Sequence, residues 1–242
     1  LTIADGANFV HSAGTTITNN GTLDMSALGA LTFNGTLNNF GTFNSSPVSP
    51  LTFNGTFSTS SSATNVFPSS VVVGSTGTVT HPAGQRLDLT FVDLTINSGG
   101  KINADGLGFG LGAGPGAGTS YQVGATHGGQ GVGNTKDAYG SVTEPVTLGS
   151  GGYYYAGGGA IKLNVSGTLT NNGSISANGS NGSYYNGAGG SVWVNFTDSN
   201  STWSGSGSIT ANAGTTSYNY APPGGGRVSI VGYGTDSHSG FV

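Results

Sequence analysis

The sequence predicts an all-β fold, a parallel β-solenoid. Three observations point to it: a short frame of apolar residues that keeps returning, a second family of alternating strands with the same repeat length, and a near absence of helical periodicity. The frame is an apolar residue, five small or polar residues and a second apolar residue, with glycine two positions before its end. It occurs as Ile17-TNNGT-Leu23, Leu37-NNFGT-Phe43, Val73-GSTGT-Val79, Ile96-NSGGK-Ile102, Leu169-TNNGS-Ile175 and Trp203-SGSGS-Ile209. Three copies run on without gaps, as Ile102-Asn-Ala-Asp-Gly, Ile175-Ser-Ala-Asn-Gly and Ile209-Thr-Ala-Asn-Ala. Alternation of this kind marks a strand with one buried face, so Ile and Ala are expected to point inward and Asn103, Ser176 and Thr210 outward.

The second family is Ala160-Ile-Lys-Leu-Asn-Val165, Ser191-Val-Trp-Val-Asn-Phe196 and Arg227-Val-Ser-Ile-Val231. It superposes Ile161 on Val192 and Val228, with steps of 31 and 36 residues, while Ile175 and Ile209 lie 34 apart. Two families sharing one repeat length make each repeat a structural unit that stacks on the next and buries a core no single repeat can build. The expected core ladder is Ile96, Ile102, Leu169, Ile175, Trp203, Ile209, Ile161, Val192 and Val228, with Leu169 and Trp203 stacked beside Ile96. Asn-Gly pairs at Asn20, Asn34, Asn54, Asn172, Asn178, Asn181 and Asn186 predict sharp turns through left-handed backbone.

Along the chain three zones form one continuous elongated domain. Residues 1–105 read as short coils with Thr-rich strands, 106–159 as a glycine-rich insertion, and 160–242 as longer coils carrying smaller Tyr- and Gly-rich insertions at 180–190 and 214–226. Each insertion precedes an equivalent strand, so all three are expected to leave the same corner. The chain opens at Leu1 in an extended pattern and reads as a mature product or as a piece of something longer.

Composition removes several classes of function. Of 242 residues 47 are glycine, 34% are hydrophobic and only 6% are charged, unlike either a disordered polyelectrolyte or collagen. The basic residues Arg86, Lys101, Lys136, Lys162 and Arg227 stand singly in a chain of net charge -4. They form no track for phosphates, so no nucleic-acid partner is expected. No apolar run is long enough for a spanning helix, so no membrane insertion is expected. Cysteine is absent, which excludes a disulfide scaffold and thiolate metal sites and suits a bacterial exterior.

Residues with chemical potential are few. Asp88 and Asp93 read as lying on one strand and facing opposite sides, while Asp105, Asp137 and Glu144 fall in or beside the large insertion. The basic residues are too widely spread to build the charge cluster of a polysaccharide-cleaving site. His11, His81, His127 and His238 are isolated, without the spacing of a metal pair. No catalytic residue, metal or cofactor is expected. The tyrosines are more informative, because all ten lie at or beyond Tyr121. Tyr153, Tyr154, Tyr155, Tyr184, Tyr185, Tyr218 and Tyr220 sit in the insertions, where they can contact sugar rings or a neighbouring subunit, or fold back as a satellite core.

The runs "GGGAIKLNVSGTLTNNGSISANGSNG", "GAGGSVWVNF", "SGSGSITANAG" and "PPGGGRVSIVGYG" resemble the glycine-rich β-helical repeats of very large bacterial surface proteins and adhesins. The resemblance covers Gly157 to Gly234, and the earlier copies are more similar to filamentous-haemagglutinin-type coils. It implies a right-handed parallel β-helix (solenoid) with glycine-rich loop insertions on one side, placed on the cell exterior, and no catalytic residues. The expected function is structural or adhesive: a stiff fibre or stalk, continued head-to-tail by other copies or by a longer parent chain, with surface glycans as possible targets. The alternatives are a carbohydrate-binding module using the tyrosines and a β-helical polysaccharide-cleaving enzyme.

Overall fold

A computed structural model of the chain describes residues 5–215 and 221–242. The short alternating segments become strands of three to six residues, three to a coil. The first coil holds β1 (Phe9–His11), β2 (Thr16–Asn19) and β3 (Thr22–Asp24), and the second β4 (Leu31–Phe33), β5 (Thr36–Asn39) and β6 (Thr42–Asn44). The third holds β7 (Leu51–Phe53), β8 (Thr56–Thr59) and β9 (Thr64–Val66), and the fourth β10 (Val71–Val73), β11 (Thr78–Thr80) and β12 (Arg86–Phe91). The fifth holds β13 (Leu94–Ile96), β14 (Lys101–Asn103) and β15 (Ala160–Val165), and the sixth β16 (Thr168–Asn171), β17 (Ser174–Ser176) and β18 (Ser191–Phe196). The seventh holds β19 (Thr202–Gly205), β20 (Ser208–Thr210) and β21 (Arg227–Val231), and β22 (Thr235–His238) starts another turn.

Apart from β9 and β12, the strands of successive coils pair in parallel with their counterparts, so the protein is a three-sided parallel β-helix. One side is the eight-stranded sheet β1-β4-β7-β10-β13-β16-β19-β22, and the second is β2-β5-β8-β11-β14-β17-β20. The third side divides into β3-β6-β9 and β12-β15-β18-β21. At that division the rings of Phe67 and Phe91 stack at 5.4 Å, continuing the core where the backbone ladder stops. Stacking places like on like inside: Phe33 lies on Phe53, Ile102 on Ile175 and Ile209, and Ile161 on Val192 and Val228.

Two expectations change. Leu169 pairs with Leu94, and Ile96 pairs with Asn171, because the corner between β13 and β14 is two residues longer than that between β16 and β17. A shift of two preserves the inward face, so Ile96 stays in the core while Asn171 replaces an apolar residue above it. The six frames also do not share one corner. Those at Ile17 and Leu37 join the second side to the third, whereas those at Val73, Ile96, Leu169 and Trp203 join the first to the second.

What the frames at Ile17, Leu37 and Leu169 share is an asparagine turned inward at the corner. Asn19, Asn39 and Asn171 are all buried, and each Nδ2 donates to a carbonyl of the following coil, at Thr42, Thr64 and Ser208. The side-chain oxygens of Asn19 and Asn171 accept the amide two residues ahead, from Gly21 and Gly173. One side chain thus closes its own turn and clamps the next. The predicted left-handed turns do not occur: no asparagine or glycine of the seven pairs has positive φ. Glycine is needed there for proximity, since a Cβ on Gly173 would overlap the carbonyl oxygen of Gly100, and one on Gly55 that of Gly35. Gly21, in the first coil, has no such neighbour.

Three segments, 104–159, 177–190 and 211–226, all join the second side to the third. Among the described residues their backbones pack against one another without strand geometry. The successive amides of Ala188, Gly189 and Gly190 donate to carbonyls of Ser150, Gly224 and Ala177, on three different segments. Those of Gly157, Gly158 and Gly159 go to Phe109, Ala188 and Ala104. Donors radiating in three directions match an extended helix with about three residues per turn. Such a bundle admits almost no side chains, because a Cβ on Gly157, Gly187 or Gly190 would overlap a neighbouring carbonyl oxygen.

Replacing Gly190 by Ala is expected to destabilise the fold by roughly 3 kcal/mol, the upper part of the range for overpacking. Gly110→Ala is the control, since nothing lies within 4 Å of its Cβ position and its effect should stay within about 1 kcal/mol. Ile175→Asp should lose roughly 3–5 kcal/mol, because it leaves an unpaired charge in the ladder. Chemical denaturation midpoints of the three variants check both the bundle and the stacking register.

Candidate functional site

The glycine bundle pushes its large side chains to its rim. There Tyr121, Tyr153, Tyr154, Tyr184 and Tyr185 converge from two insertions. Ring centroids lie 5.0 Å apart for Tyr121 and Tyr153, 4.7 Å for Tyr153 and Tyr154, 5.3 Å for Tyr121 and Tyr185, and 5.9 Å for Tyr184 and Tyr185. The hydroxyls of Tyr121 and Tyr154 hydrogen-bond at 3.1 Å, and this contact raises the Tyr121 phenol above its usual range. Tyr185 anchors the group at 9% exposure, while Tyr121 and Tyr154 remain 57% and 42% exposed. The cluster is therefore both a satellite core and an open aromatic surface. Tyr155 packs its ring over Gly182. Tyr218 and Tyr220 lie outside the described residues. Tyr121 escaped the sequence reading because it is far along the chain from the YYY run, and only the folding of the insertion joins them.

Beneath this rim a polar group ties the insertion to the third side. His127 Nδ1 donates to the carbonyl of Gly189 at 2.7 Å, and its Nε2 accepts the hydroxyl of Thr147 at 2.8 Å. Tyr139 packs 4.7 Å from the imidazole and donates its hydroxyl to the Leu148 carbonyl; burial pushes its phenol up to about 12. From the sheet, Arg227 Nε donates to the Tyr139 carbonyl, Ser229 to that of Thr143 and Ser191 to that of Thr147. Segment 139–147 is thus fastened along the edge of β18 and β21.

The same sheet gathers basic residues that the sequence reading held apart. Arg86, Lys162 and Arg227 lie on β12, β15 and β21. Asp88 pairs in register with Lys162 and Lys162 with Trp193, forming an outward row. Arg86 reaches the Asp88 carboxylate at 3.2 Å and Lys162 at 4.0 Å, and the Lys162 ammonium sits 4.7 Å from the centre of the Trp193 ring. The sequence did carry the signal: Arg86-Leu-Asp-Leu-Thr-Phe91 alternates like the three strands of the second family, but 74 residues separate Arg86 from its partner Ala160.

Other candidates are placed apart. Asp93 is not on the strand of Asp88; its carboxylate accepts the amide of Thr168. Asp105 accepts from Asn103, Ser176 and Asn178, which makes it a turn residue. Among the described residues no group of three His, Cys, Asp or Glu could hold a metal ion, and no helix is long and apolar enough to cross a membrane.

Burial holds both His127 and His81 below the ordinary imidazole range, and the charge of Arg227 adds to this at His127. The unfolded chain then binds protons that the folded chain refuses. Stability is fully present above about pH 6.5 and falls as pH drops toward the lowered folded values. Denaturation midpoints should decline from pH 7 toward pH 5, and His127→Gln should flatten that decline. A midpoint constant over this interval would contradict neutral burial of the two imidazoles. No family model, curated protein or solved structure matches the chain, so the reading of function rests on this geometry.

Proposed function

We propose that the chain is a section of a stiff extracellular rod at a bacterial cell surface, with a structural and adhesive role and no catalysis. The observation that carries this reading is the state of the two ends of the ladder. Among the described residues β1, β2 and β3 have a strand neighbour on one side only, and so do β20, β21 and β22. Phe9, Ile17 and Leu23 remain half-buried at one end, as do Val228 and Ile230 at the other. Such edges invite continuation by parallel pairing, either with another copy head-to-tail or with further coils of a longer chain. Few charges and many hydroxyls keep the sides hydrated, and the insertions present side chains away from the axis.

The tyrosine cluster supports a second reading, a carbohydrate-binding surface. The exposed rings of Tyr121 and Tyr154 offer stacking together with hydrogen bonding, and exposed aromatic patches of this kind mark interaction sites.

For the first reading, electron microscopy at high protein concentration should show thin filaments with an axial repeat of one subunit. A monodisperse monomer with both terminal coils protected from hydrogen exchange would exclude assembly through the ends. For the second, a glycan array should give specific signals that Tyr121→Ala with Tyr154→Ala reduces at least about fivefold, since aromatic hot spots contribute more than about 1 kcal/mol. Equal signals from both proteins would remove the tyrosines from recognition.

A further inference from the structure

We infer that the outward face of β12, β15 and β18 is a second binding strip, one that takes an acidic, uronate-bearing polysaccharide. The inference rests on the adhesive reading and assigns it a ligand class and a place distinct from the tyrosine cluster. The strip consists of two parallel rows. One is Asp88, Lys162 and Trp193; the other, two residues along each strand, is Thr90, Asn164 and Asn195.

Charge selects the ligand. The chain as a whole carries -4, yet here two cations face one carboxylate. Asp88 satisfies Arg86 at 3.2 Å and reaches Lys162 only at 4.0 Å, so the ammonium is the less occupied partner. The Nε of Arg86 is buried without a hydrogen-bond partner. That nitrogen is closed to solvent, so an incoming carboxylate meets the Lys162 ammonium, with the positive charge of Arg86 beside it, at side chains 25% and 35% exposed. Partial burial strengthens such a contact relative to open water.

The neighbouring chemistry suits a sugar rather than a simple anion. The half-buried Trp193 ring lies beside Lys162, within reach of a ring held by the ammonium. Asn195 donates to Asn164 at 3.1 Å, and Asn164 to Thr90 at 3.3 Å. This run of amides and a hydroxyl, about 7 Å along the strands from the charged row, offers donors and acceptors to sugar hydroxyls. Segment 139–147, fastened by Arg227, Ser229 and Ser191, bounds the strip on one side. Ser229 stands in register with Trp193, so this wall closes the row of Asp88, Lys162 and Trp193 at its β21 end.

The test is binding of polygalacturonate and of alginate to the full chain at low ionic strength, with dextran as the neutral polymer. Wild-type protein should bind at least one acidic polymer, and binding should weaken as salt rises. Lys162→Gln should weaken it at least about fivefold, within the range for losing one partner of a charge pair. Asp88→Asn should bind at least as tightly as wild type, because it releases both cations from their internal carboxylate. Gly110→Ala, where nothing lies within 4 Å of the added Cβ, should leave the affinity unchanged. Absence of binding to both acidic polymers, equal affinity of Lys162→Gln, or a weaker Asp88→Asn complex would each overturn the assignment. A weaker Asp88→Asn complex would mean that the internal ion pair supports the strip and that ligand charge is not read there. Filament formation and the tyrosine-dependent array signals are scored separately, so failure here leaves those readings to their own experiments.

Discussion

Adjacent coils are held at the strand spacing of about 4.8 Å by parallel backbone hydrogen bonds, and almost every residue choice answers to that distance. A side chain inside the helix must stack on its counterpart above and below, which favours like on like. The Phe33 and Phe53 rings lie 5.7 Å apart, and Phe53 stacks on Phe57 across the core at 4.5 Å. A polar group turned inward must find its partner in the next coil, as the three corner asparagines do. Where the chain bends so closely that even a Cβ would meet a carbonyl, only glycine remains. Gly41 and Gly55 meet that condition, and Gly21, in the first described coil, does not.

This distance also explains what was legible in the sequence. Alternation within a strand is local, so the inward positions of Ile102, Ile175 and Ile209, or of Ile161, Val192 and Val228, could be read directly. Relations between coils are not local. The frame at Leu37 looks identical to that at Leu169, but the two occupy different corners, because the spacing describes a bend and carries no label for the side on which it falls. The Asn-Gly pairs suggested turns through left-handed backbone, whereas the physical demand is close approach of another coil, which no single segment reveals. Likewise the strand of Arg86 is separated from its neighbour by the whole large insertion. Its alternation was visible and its partnership was not.

The insertions follow a different rule from the coils. They contain too few apolar side chains for a hydrophobic core of their own, and their backbones are instead satisfied by amides directed to three neighbouring segments. Glycine loses more conformational entropy on ordering than any other residue, so such a bundle requires dense hydrogen bonding and firm anchors. Tyr185, His127 and Asn134 act as these anchors. The Asn134 amide alone donates to the carbonyls of Gly116 and Gly124. Order in the bundle is therefore tied to a few buried polar contacts, which makes it sensitive to protonation in a way that the aliphatic ladder is not.

Both candidate surfaces depend on the same insertion. Its rim supplies Tyr121, Tyr153 and Tyr154, and its return segment, 139–147, forms the wall beside Trp193 and Lys162. A uniform stack of coils would present the same chemistry at every level and could serve only as a rod. By leaving the stack after β14, β17 and β20, the chain gains side chains that no uniform coil presents, while β14-β17-β20 and β15-β18-β21 stay paired. The coils keep their register, and the glycine bundle, which needs no strand register with them, is free to carry side chains that differ from level to level.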